Sequence, residues 1–85
     1  MEQTNYLEGY MIVPKGEKYK RVDFVPIAMT EVMTHVFMRG ITSILRSFNL
    51  GHHIQCDKDD LTNEFTYTWC NVDSKEIYAV IKVRQ

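Results

Sequence analysis

The sequence predicts an α+β domain of two layers: one long helix packed on a mainly antiparallel sheet, in the order β-β-α-β-β-β. Three observations lead there. Residues 31–48 carry apolar side chains at three- and four-residue steps, the period of an amphipathic helix. Phe65-Thr66-Tyr67-Thr68-Trp69-Cys70 alternates large aromatics with small polar residues, the period of a half-buried strand. The connections are short, which favours antiparallel neighbours. Residues 1–85 make a single small globular domain. Hydrophobic residues are 45% and charged residues 25% of the chain, ordinary globular proportions, so disorder is expected only from Met1 to Asn5.

Taken in order, Leu7 to Val13 reads as the first strand. Pro14 and Gly16 suit a turn, because proline has its φ already set and glycine tolerates the closing position. Lys18 to Val25 follows as a strand whose Lys20 and Arg21 suit a sheet edge. Pro26 is expected to end it, having no N–H to give the ladder. Thr30 is a good helix N-cap, and Glu31 sets a negative charge at the positive end of the dipole. Met33, Phe37, Ile41, Ile44 and Phe48 form one apolar stripe, flanked by Val36 and Leu45, and Gly51 suits a left-handed C-terminal position. Gly40 lies on that stripe, where a close approach of helix to sheet would offset its low helix propensity. The opposite face holds His35, Arg39, Thr42, Ser43 and Arg46. Three strands then follow: His53 to Asp57, Phe65 to Val72 and Glu76 to Arg84, with turns at Asp59–Asn63 and Asp73-Ser74.

The last two strands conflict over which face is wet. Ile77, Ala79, Ile81 and Val83 form the evident core face of the last strand. A symmetric loop about Asp73-Ser74 sets Trp69 opposite Tyr78 and Tyr67 opposite Val80, and residues directly opposite share a face. Phe65, Tyr67, Trp69, Tyr78 and Val80 then form an aromatic patch on the open face, and Thr66, Thr68 and Cys70 line the helix side. An odd loop or a bulge swaps the faces and sends Tyr67 and Trp69 into the core. The even register is the preferred reading, and an apolar patch on an open sheet face is usually an interaction surface.

The charge pattern excludes some partners. A net charge of −1 suits neither a general nucleic-acid binder nor a mimic of one. Lys15, Lys18, Lys20 and Arg21 cluster early and Asp57, Asp59, Asp60 and Glu64 cluster late, as solvated loops do. Met1 to Asn5 lack the basic and apolar regions of a signal peptide, no apolar run reaches a membrane span, and two cysteines on non-neighbouring rungs read as reduced thiols. A cytoplasmic location without membrane partners is the expectation.

No motif names a reaction. His52, His53, Cys56, Asp57, Asp59 and Asp60 are close in sequence, but His52 and Cys56 are about 13 Å apart on one strand face and no pair has structural-zinc spacing. Asp57-Lys58-Asp59-Asp60 lacks the glycine and closing glutamate of a calcium loop. Cys56 or Cys70 beside a histidine would be needed for thiol chemistry, and a strand cysteine is more often a small hydrophobe. The four glycines make no phosphate loop. No catalytic residue, metal or cofactor is expected.

The resulting expectation is a non-enzymatic protein-binding module, a small inhibitor or adaptor of the kind common among viral and phage accessory proteins. It would meet a larger partner through Phe65, Tyr67, Trp69, Tyr78 and Val80, or through Arg39 and Arg46 on the helix. A homodimer is another use of the same patch. Single-strand RNA stacked on Tyr67, Trp69 and Tyr78 is the first alternative, and a small thiol- or metal-dependent enzyme the second.

Overall fold

The computed structural model describes residues 3–85, which form β1 (Thr4–Lys15), β2 (Lys18–Thr30), α1 (Glu31–Ser47), β3 (His53–Asp59), β4 (Glu64–Cys70) and β5 (Ile77–Arg84). The five strands make one antiparallel sheet in the order β2-β1-β5-β4-β3, and α1 covers part of one face. The expected α+β two-layer architecture is what the chain adopts. No helix among the described residues is long and apolar enough to cross a membrane. Thr4 and Asn5 belong to β1 rather than to a disordered end; Met1 and Glu2 lie outside the described residues.

The first hairpin is longer than expected. Lys15 pairs with Lys18 across a two-residue turn in which Gly16 takes φ 64°, so Pro14 lies inside β1 opposite Tyr19. Pro26 does not end β2. The register slips between Leu7 and Gly9, where Leu7 faces Ile27 and Gly9 faces Phe24. Val25 and Pro26 together oppose Glu8, and a bulge on an edge strand is where proline is tolerated.

The helix begins as its sequence indicates, with the Met33 N–H donating to the Thr30 hydroxyl at 3.2 Å. Its end is closed by Asn49 (φ 59°) rather than Gly51. The Leu50 N–H donates to the Leu45 carbonyl and the Asn49 N–H to the Arg46 carbonyl, both at 3.0 Å, which is a Schellman closure with asparagine in the left-handed position.

The face α1 buries is rotated from the expected stripe. Thr34, Ile41 and Leu45 are buried, and Phe37, Met38 and Thr42 are half-buried. Met33, Val36, Ile44 and Phe48 are exposed. The cause is that two threonines satisfy their hydroxyls inside. Thr34 donates to the Thr30 carbonyl at 2.9 Å and accepts from the Asn5 side chain at 3.1 Å. Thr42, read as solvent-facing, donates to the Met38 carbonyl at 3.3 Å and accepts from Trp69 at 3.0 Å. A buried hydroxyl with partners on both sides no longer opposes burial. Gly40 does not mark a close approach to the sheet, because a Cβ there would meet no atom within 4 Å.

The register conflict resolves through a bulge. Val72–Lys75 is a symmetric loop: the Asn71 N–H donates to the Glu76 carbonyl at 2.9 Å, and Cys70 faces Ile77. Asn71 Oδ1 holds the loop by accepting the N–H groups of Asp73 and Ser74, both at 2.9 Å, and Lys75 takes φ 64°. The ladder then slips, so that Trp69 faces Ala79, Tyr67 faces Ile81 and Phe65 faces Val83. Tyr78 is the extra residue, and it is buried. The preferred even register is therefore corrected: the loop is even, but the bulge swaps the faces. Trp69, with no exposed surface, joins Leu7, Leu45, Ala79 and Ile81 in the core beneath α1.

Candidate functional site

The residues expected to form an exposed aromatic sheet face are divided by this bulge. Trp69 and Tyr78 are buried, Phe65 and Tyr67 are half-buried on the helix side, and Val80 alone stays on the open face, opposite Tyr10 and Thr68. The open face is mixed. Tyr6, Glu8, Tyr10, Lys82 and Arg84 lie along β1 and β5, and the Arg21 guanidinium stacks 4.0 Å from the Tyr10 ring while pairing with Asp23 at 2.8 Å. The expected patch of Phe65, Tyr67, Trp69 and Tyr78 is not present there.

A different apolar surface exists on the helix side. A single helix cannot cover five strands, since a helix is about 10 Å across and strands repeat every 4.7–4.9 Å or so. α1 packs closest to β1 and β2. It leaves the outer part of β4 and all of β3 uncovered. The result is a groove of about 240 Å³ between α1 and the β3–β4 hairpin. Trp69 and Tyr67 form its floor, Ile54 of β3 one wall, and Thr34, Met38 and Thr42 the helix wall; His35 and Arg39 border it. Its exposed lining is mainly apolar.

Each side chain is placed by register. Ile54 faces Trp69 and Cys56 faces Tyr67, so Ile54, Cys56 and Lys58 share the groove side of β3. The strand expected to end at Asp57 runs to Asp59, and its turn occupies Asp60–Asn63, with Asp59 Oδ1 accepting the Leu61 N–H at 2.9 Å. Phe65 stacks on Tyr67 with ring centres 6.4 Å apart, and Lys58 lies 5.8 Å from the Phe65 ring. Every residue of β3 is exposed, which leaves an edge whose outward backbone groups have no partner within the sheet.

Of the expected partner-surface residues, the structure brings Tyr67, Trp69 and Arg39 to one groove. It places Phe65 just beyond and Arg46, exposed in the last turn of α1, away from it. Sequence reasoning missed Ile54, Met38, Thr34 and Thr42. The one available signal was Ile54, an isolated large hydrophobe on a strand otherwise made of polar residues and Cys56.

The chemistry of this region is quiet. Among the described residues, no three His, Cys, Asp or Glu side chains converge as a metal set. Cys56 and Cys70 are both free thiols. Burial raises the Tyr67 phenol above its ordinary pKa, and neighbouring Cys56 adds to the rise. Burial also raises Tyr78, with Asn71 pulling in the other direction. A raised phenol pKa favours the neutral form in the folded state, so its stabilisation is complete below the ordinary value of 10.0 and is lost as pH climbs past it. Unfolding midpoints should therefore fall above about pH 10, where free tyrosine ionises, and Tyr67→Phe should make the fall shallower in a pH series of urea titrations.

No family model, no curated protein and no solved structure matches the chain.

Proposed function

We propose that this chain is a non-enzymatic protein-binding module, acting as a small inhibitor or adaptor, which grips an extended segment of a larger partner along β3 and the adjoining groove. The observation that carries this reading is the juxtaposition of an apolar groove with an unpaired strand edge. An added strand hydrogen-bonds to the edge, and its alternate side chains point into the groove. The two sheet edges differ in their suitability. β2 carries Lys18, Lys20, Arg21, Asp23 and a proline bulge, all of which discourage pairing. β3 has no Asp, Glu, Lys or Arg from His53 to Cys56, and its Asp57, Lys58 and Asp59 lie at one end. Exposed Ile54 and half-buried Tyr67, lying over the buried Trp69, receive an apolar anchor, and Arg39 borders the site as a polar contact. Two free thiols suit a reducing compartment such as the cytoplasm.

Selection from a library of displayed random peptides tests this. Peptides enriched on the intact domain should carry apolar residues at alternate positions and bind Ile54→Arg at least roughly tenfold more weakly, a loss of about 1.4 kcal/mol. Far-UV circular dichroism should show the variant folded, since Ile54 is on an exposed edge. Failure to enrich any peptide, or equal binding to Ile54→Arg, would overturn the reading.

A further inference from the structure

Gly40 has no reason to be glycine within one copy of the chain. Glycine is the least favoured residue after proline in a helix interior. Its φ is not positive, unlike those of Gly9 and Gly16. A Cβ built on it meets nothing within 4 Å. Its immediate surroundings supply a reason outside the chain. Val32, Val36, Gly40, Ile44 and Phe48 lie four residues apart, and rows at this spacing form the ridges by which helices pack. The four side chains of the row are all apolar, and all are exposed: Val32 by 68%, Val36 by 55%, Ile44 by 38% and Phe48 by 42%. The row begins on the solvent side of α1 and slants towards the flank over β2, where Phe37 meets Phe24 edge-on at 5.2 Å. His35, Arg39 and Arg46 lie off it, towards the groove side.

The row also reads the same in both directions from Gly40. Apolar residues stand four positions either side (Val36, Ile44) and eight positions either side (Val32, Phe48), with a notch in the middle. That is the pattern an antiparallel self-pairing needs, because a two-fold axis at Gly40 sets each residue against its mirror position. Val36 would face Ile44 of the second copy, and Val32 and Phe48, each about 80° further round the helix from Gly40, would flank the crossing on either side.

We propose that this chain forms a two-fold homodimer in which the α1 helices of two copies cross at Gly40 and bury this apolar row against each other. Packing of such rows gives a crossing angle of about −50°, and the glycine notch lets the helix axes approach to the short end of the usual range, about 8 Å. No charged side chain of the row is desolvated. A single helix crossing is a small interface, so association should depend on concentration rather than be permanent. The surface lies on the opposite flank of α1 from the groove and leaves the groove open.

Sedimentation equilibrium over low to high micromolar concentrations tests the proposal on the intact chain, Gly40→Leu and Val36→Glu. The expected result is a mass that moves from one chain to two in the intact protein, with association weakened roughly tenfold or more in both variants. Gly40→Leu should keep the far-UV spectrum and should raise the thermal midpoint of the dilute monomer, because its side chain enters open space and its helix propensity is higher. Stability and association then move in opposite directions, which misfolding cannot mimic. A mass of one chain at every concentration would overturn the proposal and leave the row to a helix of another protein. Undiminished association of a folded Gly40→Leu would overturn it equally.

Discussion

Replacing Trp69 with alanine should cost about 3–5 kcal/mol of folding stability, read as a lower urea midpoint. The indole is fully buried and forms the floor between α1 and the sheet, so its removal leaves a cavity that the rigid β4–β5 ladder cannot close. Its N–H donates to the Thr42 hydroxyl at 3.0 Å, which in turn donates to the Met38 carbonyl. Deleting the indole therefore also strips one partner from a hydroxyl on the helix. An 85-residue domain carries roughly 4–13 kcal/mol in total, so the loss is a large fraction of the whole. Trp69→Phe should lie between, losing the hydrogen bond and some volume at about 1–3 kcal/mol.

Gly9→Ala should be comparably damaging, at about 2–4 kcal/mol. Gly9 sits beside the β2 bulge with φ 156°, and a Cβ there would fall inside the van der Waals surface of the Val80 carbonyl oxygen. That oxygen belongs to the central strand β5, which cannot recede without disturbing its pairing to β4. Gly16→Ala is the control. Gly16 also has a positive φ, 64°, but a Cβ there meets nothing within 4 Å, so only the backbone preference is lost, about 1 kcal/mol. The two unfolding curves separate the effect of close approach from that of backbone conformation.

The legible part of this fold is the part written in local patterns. Thr30 with Glu31 announces the helix start, Asp59 to Asn63 announces a turn, and the alternation from Phe65 to Trp69 announces a strand, and each stands where the pattern sets it. What escaped depends on contacts distant in sequence. Tyr78 looks like any alternating strand residue, yet it is the bulge that decides which face of β4 is wet, because period-two parity reverses with a single extra residue. Thr42 reads as polar and therefore outward, but Trp69, 27 residues away, supplies the partner that lets it turn inward, as Asn5, 29 residues away, does for Thr34. Val36, Ile44 and Phe48, which this rotation releases to the surface, were part of the expected core. The groove was illegible for the same reason: it exists because one helix covers only part of a five-stranded sheet, and which strands stay bare follows from strand order. Strand order is not a property of any local window.

The claim on which the rest depends is that the Tyr78 bulge turns Trp69 inward beneath α1. Trp69 is the only tryptophan, so its emission reports on that one position. In a dilute sample shown to be monomeric, the emission should be strongly blue-shifted and resistant to acrylamide, and denaturant should shift it to the red in step with the loss of helix. Red, freely quenched emission from the folded monomer would contradict the account, and would return Trp69 to the open face of the sheet.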